Sequence, residues 1–223
     1  MMVHAATVNP SGTTGRRGEK VPEAMKTYVR VVDAMNRRVG RFAMYLLFAM
    51  MGILLWSSIS KTFFNPSLWT LEMAQFAMVA YYIIGGPYSV QLGSNVRMDL
   101  FYGSWSDRKK AQIDAITVLF LAFYLVMLLV GGISSTAYSL GHYGGEPYGF
   151  FGDLAYGFIT GGVGGAEEVL GRAERNPTAW RPVIWPIKSI MVLGIFLMLL
   201  QAVSELFKDI AKICGGDSQE GVT

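Results

Sequence analysis

Two histidines, His4 and His142, and one cysteine, Cys214, are the softest metal ligands the chain possesses. A haem held between membrane helices needs paired histidines, and His4 falls in a polar N-terminal stretch, which disfavours a haem anchor. A lone cysteine excludes an internal disulfide and a thiolate metal cluster. Cys214 reads as a free buried thiol in preference to a palmitoylation site. Serines are plentiful, yet no GxSxG or HExxH arrangement is present, and His142 has no evident nucleophile partner. Gly161, Gly162, Gly164 and Gly165 flank Val163, but a phosphate loop would require a Walker lysine that this run lacks. No enzyme activity, cofactor or metal is expected.

The ionisable residues near the apolar segments point the same way, because a charge in hydrocarbon is costly unless paired or wet. Glu72 follows Thr70 in the first turn of an expected helix, where the helix dipole favours a carboxylate, and it reads as a cap near the outer interface. Lys188 stands near the start of the last apolar segment and is expected to snorkel to the outer surface. Asp114, four residues after Lys110, reads as a terminal ion pair. No charge is expected at the centre of a span, so a proton relay or ion pathway built from this chain alone is disfavoured.

Lipid is the solvent that the composition implies: 52% of the residues are hydrophobic and 16% charged. A span needs roughly 20 apolar residues. Four stretches reach that length, Phe42 to Ser60, Met73 to Val96, Ala115 to Leu140 and Val183 to Ser204. They lack period-two alternation, which excludes a β-barrel. The expected fold is an all-α integral membrane protein with four transmembrane helices, at about 42–63, 70–94, 112–140 and 183–207, in a membrane domain covering 40–210. Gly85, Gly86 and Pro87 predict a kink in the second span. A break of this kind sometimes forms a transporter substrate site, but accommodation of a packed neighbour is preferred because no second broken helix or inverted repeat accompanies it.

Ahead of the first span, Val21, Met25, Tyr28, Val29, Val32, Met35 and Val39 recur at helical spacing, with Lys26, Arg30, Asp33 and Arg37 opposite. An amphipathic helix over 21–39 is expected in the membrane plane, its basic face on the anionic cytoplasmic leaflet. Packing on a partner's cytoplasmic face is the alternative. Residues 1–20 have no apolar core of the kind a cleaved signal peptide requires and are expected to be a disordered cytoplasmic tail, and 211–223 are expected to be a cytoplasmic tail. With the N-terminus inside, 14 of the 19 Lys and Arg residues fall on the cytoplasmic side and 5 outside. The positive-inside rule thus places both termini in the cytoplasm, and the net charge of +3 reflects topology, not nucleic acid. Trp56, Trp69, Trp180 and Trp185 near the outer ends, with Phe101, Tyr102 and Trp105 near the inner loop, fit interfacial anchoring.

One stretch is more specific. Glu72, the small-residue mid-span, Gly93 with Val96-Arg97-Met98-Asp99-Leu100, and Ser106-Asp107-Arg108-Lys109-Lys110 leading to Asp114 resemble the small membrane subunit, of DctQ type, of tripartite ATP-independent periplasmic (TRAP) transporters. Trp180-Arg181-Pro182, Trp185-Pro186-Ile187-Lys188, Gly194 and Leu200-Gln201 resemble the segment entering and forming that family's fourth helix. The resemblance covers about residues 35–210. Asn95 stands where the family often has His, so no role of that histidine carries over.

The resemblance implies a non-catalytic subunit of the bacterial inner membrane that scaffolds a large multi-span membrane subunit. That partner would import an organic acid, delivered by a periplasmic solute-binding protein and driven by an ion gradient. Glu72, Arg97, Asp99 and Trp185 are the expected partner or structural contacts, with membrane lipids around them. The connection 141–182 is longer than the family usually shows. A flexible extracytoplasmic insertion is expected there, with Glu167 and Glu168 beginning a short helix toward Arg172, although Phe150, Phe151, Leu154, Tyr156, Phe158 and Ile159 would suit the outer interface. A membrane anchor for an enzyme complex and an autonomous homo-oligomeric channel are the competing readings. Polar span residues such as Ser57, Ser58, Ser60, Gln75, Thr117 and Gln201 are expected to bond helix to helix.

Overall fold

A computed structural model describes residues 22–92 and 107–213. These are all-helical, apart from an isolated bridge between Arg175 and Val183. The helices are α1 (Glu23–Phe63), α2 (Thr70–Gln91), α3 (Asp107–Ser139), α4 (Pro147–Val169) and α5 (Trp185–Ile213). Residues 1–21, 93–106 and 214–223 lie outside the description, and with them Arg97, Asp99, Asn95 and Cys214.

Three helices, α1, α3 and α5, are long and apolar enough to cross a membrane. Their apolar runs set this, since helices satisfy their own backbone in lipid. The fourth expected span, α2, has 22 residues but is not among those three. Its composition explains the difference: Glu72, Gln75, Tyr81, Tyr82, Tyr88, Ser89 and Gln91 dilute its hydropathy. α2 packs between α1 and α5, where protein takes the place of lipid along two of its sides.

The packing order differs from the chain order. α3 packs on α5, α5 on α2 and α2 on α1, and α1 also reaches α5. α5 therefore lies between α2 and α3, in a row α1-α2-α5-α3 whose first helix also touches its third. Close approach is set by small residues. A Cβ at Gly86 would collide with Met198, one at Gly194 with Ile83, and one at Gly40 with Tyr88. The run Gly85-Gly86-Pro87 stays within the helix and Pro87 is buried, so its role is to accommodate a neighbour.

The separate in-plane helix expected at 21–39 is instead the first half of α1, one helix of 41 residues. At about 1.5 Å per residue it is roughly 60 Å long, twice a hydrocarbon core of about 30 Å. Val32, Asn36, Gly40 and Ala43 are buried along it, while Lys26, Arg30, Arg37, Arg38 and Arg41 are exposed. The buried side is thus turned from the expected one and carries polar residues that need partners. At its other end, α5 continues to Ile213, beyond the expected start of a tail at 211.

Candidate functional site

The polar side chains of α1 and α5 meet at one end of the row. On α5, Gln201, Ser204, Glu205 and Lys208 follow at spacings of three, one and three, which puts them on one face. On α1, Asp33 and Asn36 are likewise one turn apart. The Lys208 ammonium lies 2.8 Å from an Asp33 oxygen and 2.8 Å from Glu205 Oε1. The Gln201 amide is fully engaged: Nε2 donates to Asp33 Oδ1 at 3.0 Å and to Glu205 Oε1 at 2.9 Å, and Oε1 accepts from Asn36 Nδ2 at 2.7 Å. Ser204 Oγ adds a bond to Asp33 Oδ1 at 3.2 Å. Gln201 and Ser204 are wholly buried, and Asn36 is 1% exposed.

Neighbouring contacts extend this clasp. Tyr28 donates to the Leu200 carbonyl at 3.2 Å and packs edge-on against Phe207. Gln91, the last residue of α2, donates to the Asp33 carbonyl at 3.3 Å, which ties a third helix in. Two carboxylates sharing one ammonium leave a net charge of about −1, and the neutral donors of Gln201 and Ser204 hold it. Asn36 Oδ1 and Gln91 Oε1 are buried without a hydrogen-bond partner among the described residues.

The opposite end is organised around Lys188. Its ammonium does not reach for the surface as expected. It lies 2.7 Å from Glu174 Oε2, donates to the Ser135 carbonyl of α3 at 3.3 Å, and stands 5.9 Å from the Tyr138 ring centre. A cation with an acidic partner and two further neighbours at hand gains more from them than from the interface. Glu174 is itself fixed by its backbone, donating to the Ser139 carbonyl at 3.0 Å and accepting from Ile184 at 3.1 Å. The return segment is thereby stitched to α3 on one side and to the approach of α5 on the other. Arg181, at φ 51°, sits in the left-handed region just before Pro182, and the Pro182 carbonyl accepts from Asn176 at 2.9 Å.

Between α1 and α2 at this end, hydroxyls take the place of charges. Thr70 Oγ1 lies 3.1 Å from Ser57 Oγ and 3.1 Å from Ser67 Oγ, and Ser60 donates to the Asn65 carbonyl at 2.8 Å. Of the span residues expected to bond between helices, Gln201 and Ser57 do so, whereas Ser58 and Thr117 return to carbonyls of their own helices. Glu72 makes no capping bond. It is 5% exposed, and its Oε2 has no hydrogen-bond partner among the described residues. Trp185, the first residue of α5, is 41% exposed and lines an apolar cleft with Leu140, Phe151, Leu154 and Leu170.

Thus the structure places two of the four expected contacts, Glu72 and Trp185, at the Lys188 end, and Arg97 and Asp99 fall outside it. The residues that do most of the joining are Asp33, Asn36, Glu174, Glu205 and Lys208. The spacing Gln201-Ser204-Glu205-Lys208 was a signal for them, since a polar stripe at helical spacing beside an apolar span must find a partner. Among the described residues, no group of three or more His, Cys, Asp or Glu side chains could hold a metal ion.

Apolar helices fastened to one another by polar clasps at their ends define a polytopic helical membrane protein. Residues 50–149, from the middle of α1 through α2 and α3 into the first turn of α4, match the family model described as "Tripartite ATP-independent periplasmic transporters, DctQ component". Over those residues the chain is similar to the DctQ component, which supports a TRAP-transporter small membrane subunit. No curated protein and no solved structure matches it.

Proposed function

We propose that this chain is a non-catalytic scaffold for the large membrane subunit of a TRAP-type secondary transporter in a bacterial inner membrane. The large subunit, in this reading, imports an organic acid delivered by a periplasmic binding protein and uses an ion gradient to do so. The observation that carries the proposal is the use to which five partly buried charges are put. Asp33, Glu205 and Lys208 at one end and Glu174 and Lys188 at the other are spent on joining this chain's own helices. Such an arrangement suits a static element better than a conduit, which would need polar groups along a helix face.

Four spans with both termini cytoplasmic complete the proposal. The start of α1 and the end of α5 share one end of the row through the Asp33–Lys208 pair. Exposed Lys26, Arg30, Arg37, Arg38 and Arg41 gather at that end, which supports placing it in the cytoplasm. α2 counts as the fourth span because its 22 residues, about 33 Å, match a bilayer core of about 30 Å. Glu72, Arg97, Asp99 and Trp185 are assigned to ordering this subunit or joining it to the large one.

Purification of the tagged chain from native membranes in mild detergent, with mass spectrometry of what travels with it, tests the scaffold. A large multi-span protein in equal amount is the expected result. Recovery as a homo-oligomer alone would favour a channel, and recovery with a cofactor-bearing enzyme would favour an anchor. In the same preparation Arg97→Ala should lower complex yield more than solute affinity; normal assembly with lost affinity would defeat the proposal.

A further inference from the structure

The connection between α3 and α5 contains a helical hairpin, α4. α4 departs from helical geometry at Gly162, whose φ of 61° and ψ of −142° lie where glycine is at ease. The chain reverses there, and the two arms touch through their backbones: a Cβ on Gly157 would lie 2.5 Å from the Gly165 carbonyl oxygen. The glycine-rich run is therefore a packing device, and Glu167 and Glu168 end a helix where the sequence suggested they would begin one.

The hairpin is sharply divided along its length. Its tip carries Tyr156, Phe158, Ile159 and Val163, which are 70%, 59%, 82% and 69% exposed. No charged residue occurs between Asp153 and Glu167. The acids stand nearer the base, where Asp153 and Glu168 line the groove between the arms. The base is anchored, with Phe150 buried and stacked on His142 at 4.8 Å. Phe151 and Leu154 share an apolar cleft with Trp185 and Ser189, in the first two turns of the membrane-crossing helix α5.

We infer that the hairpin tip inserts into the hydrocarbon of the leaflet at the Lys188 end of the protein, as an anchor that enters the bilayer without crossing it. Three observations select lipid as the occupant. The base lies beside the start of α5, at the level of Trp185, a residue type that favours the membrane boundary. The nine steps along the helix from Asp153 to Gly162 give a reach of about 14 Å, against about 15 Å for half a hydrocarbon core. Charge near the base with an uncharged apolar tip is the profile of a segment that leaves its acids among the headgroups. The acids being negative, the tip engages acyl chains and not anionic headgroups.

The test uses the full chain with Cys214→Ser and single cysteines at Ile159, Val163 or Glu146, each labelled with an environment-sensitive fluorophore. The vesicles are phosphatidylethanolamine and phosphatidylcholine, with and without doxyl-labelled lipid. Ile159, Val163 and Glu146 are exposed, so the substitutions open no cavity. Labels at 159 and 163 should be blue-shifted and quenched by doxyl lipid, and the label at 146 by aqueous iodide. Iodide quenching at 159 equal to that at 146, without doxyl quenching, would put the tip in water and overturn the inference. Protection from both quenchers would mean that protein covers the tip, a second copy or another subunit, and would overturn it equally.

Discussion

The two ends of the helix row are fastened by different means. At the Asp33 end, one ammonium, two carboxylates, two amides and a hydroxyl interlock, and Gln201 alone makes three hydrogen bonds. At the Lys188 end a single ion pair fixes the return segment, while backbone bonds and hydroxyls do the rest. The first arrangement is interdependent, because each group removed strands another. The second is modular, since Lys188 keeps the Ser135 carbonyl and the Tyr138 ring if Glu174 is lost. Burial of charge thus costs most where several groups share one partner.

Lys208→Met offers the severest trial of that contrast. It leaves Asp33 and Glu205, both less than a quarter exposed, facing each other without a cation, and should cost about 3 kcal/mol. Thermal unfolding in detergent, followed by tryptophan fluorescence, should show a large drop in Tm that Asp33→Asn partly restores. An unchanged Tm would mean that the clasp is not interdependent. Gln201→Leu ranks second, at about 2 kcal/mol, because it removes three bonds and strands Asn36 while sparing the ion pairs. Its coupling to Asp33→Asn in a double-mutant cycle should be clearly non-zero, and additive losses would count against the network. Glu174→Gln should cost least, about 1 kcal/mol, and locally. Hydrogen exchange should rise at 171–176 and stay unchanged around Gln201; a rise at both ends would break the distinction drawn between them.

How far the sequence revealed this depends on whether a feature is local or paired. The apolar runs of α1, α3 and α5 are local, and their helices are where the runs place them. The partners of polar residues are not local. Asp33 shares a helical neighbourhood with Lys26, Arg30 and Arg37 and reads from the sequence as part of the polar face that meets the cytoplasmic leaflet, yet it is turned into α5. Lys188 was expected at the surface because Glu174, its partner, sits in a connection with no periodic signal of its own. In the 141–182 connection glycine richness gives no periodic signal from which the Gly157–Gly165 approach can be read, because there the absence of a side chain is what lets two helical arms pack. Glu72 was legible as the start of a helix but not as a buried group.

The order of helices in the row has a consequence for biosynthesis. α2 and α3 are consecutive in the chain, yet among the described helices the one that joins them in space is α5, made after both. When α3 leaves the ribosome and enters the membrane, its main packing partner does not yet exist. Asp33, Asn36 and Gln91 have likewise been made long before Gln201 and Lys208 arrive to receive them. α5 therefore acts as a keystone set between two parts already in place.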